Sequence, residues 1–115
     1  MSTSQITVAI FSLIAVFSAA YADGAQLGGF KPIKNLNDPY IQDIAKFAVE
    51  EYNKRSPNGH RLGLVNVVKG ESQVVAGTNY RLTIAANDDH QYLAVVYDRP
   101  WQHYRSLTSF NAVSV

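Results

Sequence analysis

The sequence predicts an α+β domain in which one long helix packs across an antiparallel β-sheet. Three observations predict it. A single stretch, beginning at Asp38, carries apolar residues at helical spacing. Everything after that stretch breaks into short β-prone runs separated by turns. The chain has 115 residues, 47% hydrophobic and 17% charged, which suits one ordinary globular core and not two.

The helix begins with Asp38 as N-cap and Pro39 at the first helical position, where a missing N–H costs nothing. Ile41, Ile44, Ala45, Ala48 and Tyr52 then fall on one face, which Phe47 and Val49 widen. Gln42, Asp43, Lys46, Glu50 and Lys54 populate the other side. Ser56-Pro57-Asn58-Gly59 stops the helix. About 18 residues make a rod of roughly 27 Å, long enough to lie across a sheet.

Four strands are expected next: His60 to Lys69, Thr78 to Ala86, Tyr92 to Tyr97, and Gln102 to Val113 as a polar-aromatic outer strand. In the second, Tyr80, Leu82, Ile84 and Ala86 alternate with Arg81, Thr83 and Ala85 and share one face. No internal repeat or second domain is visible.

The connections between the strands carry the functional signal. Turns are normally built from Gly, Asn, Asp, Ser and Pro. Asn87-Asp88-Asp89-His90 obeys this. The connection Gln73-Val74-Val75-Ala76-Gly77 is apolar, and Arg99-Pro100-Trp101-Gln102 places the only tryptophan of the chain at a turn. In an up-and-down meander successive turns alternate between the two ends of the sheet. The first and third turns therefore share an end. An apolar cluster on a protruding edge signals a partner, and tryptophan is a frequent interface anchor. The residues alone predict a binding edge made of two hairpins. Taken singly, a Val-Val pair, a lone Trp or a Gly-Gly pair is more often core or flexible chain; the arrangement carries the argument.

Residues 1–22 read as a targeting signal. Ile6 to Ala20 is almost wholly apolar, and Ala20-Tyr21-Ala22 fits a small-x-small cleavage site, with the cut after Ala22. The run is about 15 residues, short of the roughly 20 that span a bilayer. The mature domain is then 23–115, routed to the secretory pathway, outside the cell or to the vacuole, with no membrane attachment after cleavage. The formal net charge of +1 gives no electrostatic reason to expect nucleic acid. With no cysteine there are no disulfides, thiolate chemistry or Cys-based metal sites. His60, His90 and His103 show no metal-ligand spacing, and no nucleotide or nucleophile motif is present, so neither a cofactor nor enzymatic activity is expected. A carrier with a ligand pocket between sheet and helix is the remaining rival.

Gln73-Val74-Val75-Ala76-Gly77 resembles the QxVxG motif of the cystatins. Gly28-Gly29 resembles their N-terminal glycine site, and Pro100-Trp101 their second hairpin. The run from Ile44 to Asn53 is similar to the helix signature of the plant branch, the phytocystatins, written LARFAVxEHN, with Ile, Lys and Tyr replacing Leu, Arg and His. The resemblance runs from about Gln26 to Val113, and its four elements come in family order. It implies one long helix packed across a curved antiparallel sheet, which agrees with the residue-level reading. It further implies a reversible, tight-binding competitive inhibitor of papain-like cysteine proteases, monomeric and forming a 1:1 complex. The protease-binding wedge would comprise Gly28 and Gly29, then Gln73, Val74, Val75, Ala76 and Gly77, then Pro100 and Trp101. In that wedge Val75 and Ala76 give compact apolar contact, while Val74 is free to turn inward. Gln73 bridges by its amide either to the protease or within the hairpin. The implied roles are defence against pests and pathogens and control of the organism's own proteolysis.

Overall fold

The computed structural model describes residues 29–56 and 58–114. The expected signal at 1–22, Gly28, and Pro57 of the expected helix stop lie outside the described residues. In order, the elements are β1 (Lys31–Pro32), α1 (Pro39–Arg55), β2 (Leu64–Val75), β3 (Gly77–Ala86), β4 (Gln91–Arg99) and β5 (Tyr104–Ala112). The strands form one antiparallel sheet in the order β1-β2-β3-β4-β5, a meander with a short leading edge strand.

The helix starts where expected. The Asp38 carboxylate accepts the Tyr40 N–H at 2.8 Å, and Pro39 stands in the first turn. It spans 17 residues and buries Ile41, Ile44, Ala45, Ala48 and Val49. Small Ala45 and Ala48 let the rod lie close to the sheet. From the last turn of the helix, Asn53 brackets Leu62: its Nδ2 donates to the Leu62 carbonyl at 3.0 Å and its Oδ1 accepts the Leu62 N–H at 2.8 Å. This ties the departing chain back to the helix before β2 begins.

Ile44 from the helix and Leu82, Ile84 and Val96 from the sheet are the largest side chains buried completely. The Tyr80-Leu82-Ile84-Ala86 face predicted for β3 is the face turned toward the helix, although Tyr80 at its outer end is only half-buried. Tyr52, Phe110 and Tyr92 cluster, with Phe110 stacked against the two tyrosines at centroid separations of 4.6 and 5.2 Å, and close the far end of the core. Register shifts in β2 and between β4 and β5 add residues to one strand of a pair, and such bulges increase local twist and bend the sheet around the helix.

Several strand bounds differ from expectation, β4 among them, which spans Gln91–Arg99 rather than Tyr92 to Tyr97. β2 starts at Leu64 rather than His60 and continues to Val75 rather than stopping at Lys69, because Gly70 to Val74 keep pairing with β3. The lead segment contributes β1, fixed by Lys31↔Ser72, Pro32↔Glu71 and an Ile33 N–H bond to the Gly70 carbonyl at 2.9 Å. The last strand is Tyr104–Ala112, since Pro100 to Gln102 form a single 3-10 turn.

Candidate functional site

The two atypical turns lie at one end of the sheet. β3 and β4 pair there through Thr78↔Asp98, so the start of β3 abuts the end of β4. The polar turn Asn87 to His90 closes the opposite end, with the Ala86 N–H bonded to the His90 carbonyl at 3.0 Å.

In the first hairpin, pairing persists to Val75↔Gly77 and leaves Ala76 alone at the apex. So abrupt a reversal needs a left-handed residue, and Gly77 has φ +108°. A Cβ there would lie 2.8 Å from both the Asp98 carbonyl and the Tyr97 hydroxyl. Gly77 is thus required by conformation and by packing. Val74 shares the helix-facing side with Gly70, but the hairpin has run past the core and the side chain is 76% exposed. Val75 is half-buried. Of the three apex residues, Val74 and Ala76 are thus the exposed ones and Val75 is the more covered. On the other face, Gln73 accepts a hydrogen bond from Asn79 at 2.9 Å, so its amide bridges within the hairpin. The Tyr97 hydroxyl donates to the Ala76 carbonyl and ties the apex to β4.

The second hairpin turns on Pro100, Trp101 and Gln102, closed by a His103 N–H bond to the Pro100 carbonyl at 2.9 Å with His103 in the left-handed region. Proline fixes its own φ and so helps set the direction of Trp101. The indole is 63% exposed, and the Arg99 guanidinium lies 5.5 Å from its ring centre.

Beneath this turn sits a charged network. Asp98, only 3% exposed, accepts Arg105 Nε at 2.8 Å and the Tyr40 hydroxyl. Arg105 Nη1 reaches Asp43 at 3.0 Å. The second hairpin is thereby tied to the first turns of α1. Burial and the Asp98 carboxylate push the Tyr40 phenol above its ordinary range. Burial opposes the Arg105 charge, but the bonds to Asp98, Asp43 and Tyr40 outweigh it and hold the guanidinium above its ordinary value. Phe47, Asp98, Pro100, His103, Tyr104 and Arg105 line an open cleft of about 400 Å³ here, and its acid and base are already paired with each other.

The N-terminal segment arrives at the same end. Continuing the β1 register beyond Lys31↔Ser72 brings Gly29 level with Val74. Gly29 is exposed, and a Cβ on it would meet nothing within 4 Å, so nothing inside the described chain demands glycine there. Phe30 lies under the Arg81 guanidinium at 3.9 Å, and Arg81 Nε pairs with Glu71 at 2.8 Å. The Arg81 bond lowers the Glu71 carboxyl below its usual range. Gly28 lies outside the described residues.

His60, His90 and His103 are exposed and lie in turns and loops. Among the described residues no three His, Cys, Asp or Glu side chains cluster so as to hold a metal ion. Sequence reasoning missed Tyr97, Asp98, Arg105 and the Phe30–Arg81 contact. A signal for Asp98 existed: Ala94, Val96 and Asp98 share the inward alternation of β4, and an inward carboxylate asks for a buried partner.

Residues 33–113 match a protein-family model described as an aspartic acid proteinase inhibitor. Cysteine proteinase inhibitor 5 of Arabidopsis thaliana is 48% identical, over 96% of this chain and 93% of its own length. Cysteine proteinase inhibitor 1 of Actinidia chinensis var. chinensis is 54% identical, with 75% of each chain covered. The salivary cystatin of the soft tick Ornithodoros moubata superposes with a TM-score of 0.61 at 23% identity, covering 76% of this chain and 98% of that one, which is a likeness of fold.

Proposed function

The chain belongs to the phytocystatins, the plant cysteine proteinase inhibitors of the cystatin fold, and from that premise we propose that it is a reversible, tight-binding competitive inhibitor of papain-like cysteine proteases. Members of this family are inhibitors and not enzymes. The observation that carries the reading is the exposure of Val74, Ala76 and Trp101 on two neighbouring hairpin tips, at the end of the sheet where Gly29 emerges.

A papain-like cleft is a groove with a thiolate–imidazole pair in its floor. In the wedge, the lead through Gly28 and Gly29 takes one side of the groove. The apex around Ala76 covers the catalytic pair, and Trp101 lies on the other side. A standard interface buries roughly 800 Å² per partner, a scale that such an edge can reach. Glycine without internal contacts at position 29 lets the backbone approach a wall of the protease closely. Edges held by internal bonds lose less entropy on docking. On this reading residues 1–22 direct secretion, the complex is 1:1 with a monomeric inhibitor, and the biological work is defence and restraint of endogenous proteolysis.

Titration of the purified protein against papain with a fluorogenic substrate tests the reading. Stoichiometric competitive inhibition, weakened by changes at Gly29, Val74 or Trp101, is expected. The name of the matching family model makes a parallel titration against a pepsin-like aspartic protease worthwhile. Inhibition of that enzyme alone would replace the cysteine protease reading. No inhibition of either by folded protein at micromolar concentration would return the question to a carrier.

A further inference from the structure

The apex of the first hairpin is held from behind. In the proposed complex Ala76 sits over the protease thiolate, and the peptide bond at greatest risk is Ala76–Gly77. For it to be cut, the thiolate must add to the Ala76 carbonyl carbon and the carbonyl oxygen must swing into the protease's oxyanion donors. The Ala76–Gly77 C–N bond then breaks, Gly77 leaves as an amine with the imidazolium proton, and water releases the thioester.

Every part of that geometry is pre-empted inside the inhibitor. The Ala76 oxygen already accepts the Tyr97 hydroxyl, so it points toward the inhibitor's own β4. Gly77 is buried at φ +108°, far from the extended conformation of a strand-like substrate. The Tyr97 hydroxyl and the Asp98 carbonyl stand 2.8 Å from the point where its Cβ would be, and so wall in its position. Turning the carbonyl toward a nucleophile breaks the Tyr97 bond and expels Gly77 from this niche.

We propose that Tyr97 is the positioning residue that keeps the first hairpin an obstacle rather than a substrate: its hydroxyl turns the Ala76 carbonyl away from the protease and locks the apex to the strand that leads into the Trp101 turn. The proposal rests on the wedge reading above and adds to it the reason the wedge survives.

The test follows inhibition and chain integrity together. The wild-type protein, Tyr97→Phe and Tyr104→Phe are each incubated with papain; residual activity is read over time and the masses of the inhibitor fragments are measured. Tyr104 is the matched control, since its ring lies 6.1 Å from that of Tyr97. Wild type and Tyr104→Phe should inhibit persistently with the Ala76–Gly77 bond intact. Tyr97→Phe, which removes one oxygen and keeps the ring, should bind about tenfold more weakly. It should also be cut between Ala76 and Gly77, so that protease activity returns. The fragment mass separates this cut from trimming near the N-terminus. An equally potent, uncut Tyr97→Phe would overturn the proposal. Cuts scattered over the whole chain would overturn it too, because the hydroxyl would then be a general stability device. Failure of the wild type to inhibit would sink the wedge reading itself, and it is read from a separate sample.

Discussion

Replacing Asp98 by alanine should cost far more than its place beside an exposed turn implies. The carboxylate is 3% exposed and binds two donors, Arg105 Nε at 2.8 Å and the Tyr40 hydroxyl. Its loss strands both. Removing one partner of a buried ion pair costs about 3–5 kcal/mol, because the remaining charge has left water without compensation. Two features moderate that here. The Arg105 side chain keeps 23% of its exposure, and Asp43 still accepts its other arm at 3.0 Å. Losing the Tyr40 bond to a charged acceptor pulls the other way by about 1.5–3 kcal/mol, without adding in full. A loss of about 3 kcal/mol follows, equivalent to a drop in Tm of about 10–25 °C for a domain of this size. Urea unfolding monitored by far-ultraviolet circular dichroism measures it, with an unchanged denaturant slope expected. The double variant Asp98→Ala with Arg105→Met removes both charges and should recover part of the loss. A change below about 1 kcal/mol for the single variant, or no recovery in the double, would refute the view that this pair anchors the second hairpin.

Trp101→Ala should weaken inhibition of papain by about 1–4 kcal/mol while moving the unfolding midpoint little, since the indole is 63% exposed in the free protein; an unchanged inhibition constant would remove Trp101 from the interface. Gly77→Ala should destabilise by about 1–3 kcal/mol, because alanine is strained at φ +108° and its methyl meets Tyr97 and Asp98; a thermal melt equal to wild type would contradict that packing. The Asp88 carboxylate bonded to Tyr92 raises the Tyr92 phenol from 10.0 to about 12. The folded state therefore holds this proton more tightly than the unfolded chain. The stability it brings is fully present below pH 10 and is lost as pH rises through about 12. Tyr92→Phe should flatten that alkaline decline in urea unfolding, and an identical decline in the variant would reject the assignment.

The helix was legible because cap, proline and apolar spacing all agreed from Asp38 onward, and tertiary packing asked nothing different of it. The inward face of β3 was legible for the same reason. The bounds of β2 were not. The expected strand stops at Lys69, before Gly70 and the polar Glu71-Ser72-Gln73, yet these pair with β3 because that strand supplies partners as far as Gly77. β1 has two residues and no period to detect; it exists only because β2 offers a free edge. At the candidate site, alternation could place both hairpins at one end, since that needs only strand order. It could not reveal Tyr97 under Ala76 or Arg105 across from Asp98, because those contacts depend on the register between strands, which alternation alone does not set. Val74 keeps the core-facing side of Gly70 but lies just where the core ends.

Stability and positioning draw on different residues in this molecule. The core is aliphatic and lies between α1 and the middle of the sheet, whereas polar ties hold the exposed tips and the incoming N-terminal segment. Tyr97 holds Ala76, Asp98 and Arg105 hold the second hairpin to α1, and Arg81 holds Phe30 to the sheet with Glu71 behind it. A buried ion pair is a weak source of stability, since desolvation offsets most of its attraction. It is a strong source of direction, because each bond tolerates only a narrow geometry. With no cysteine in the chain, the tips and the incoming N-terminal segment have no covalent brace. Hydrogen bonds, an ion pair and a cation–π contact in their place fix three separate chain segments relative to one another before any partner arrives. That is the arrangement expected of a surface whose affinity depends on pre-organisation.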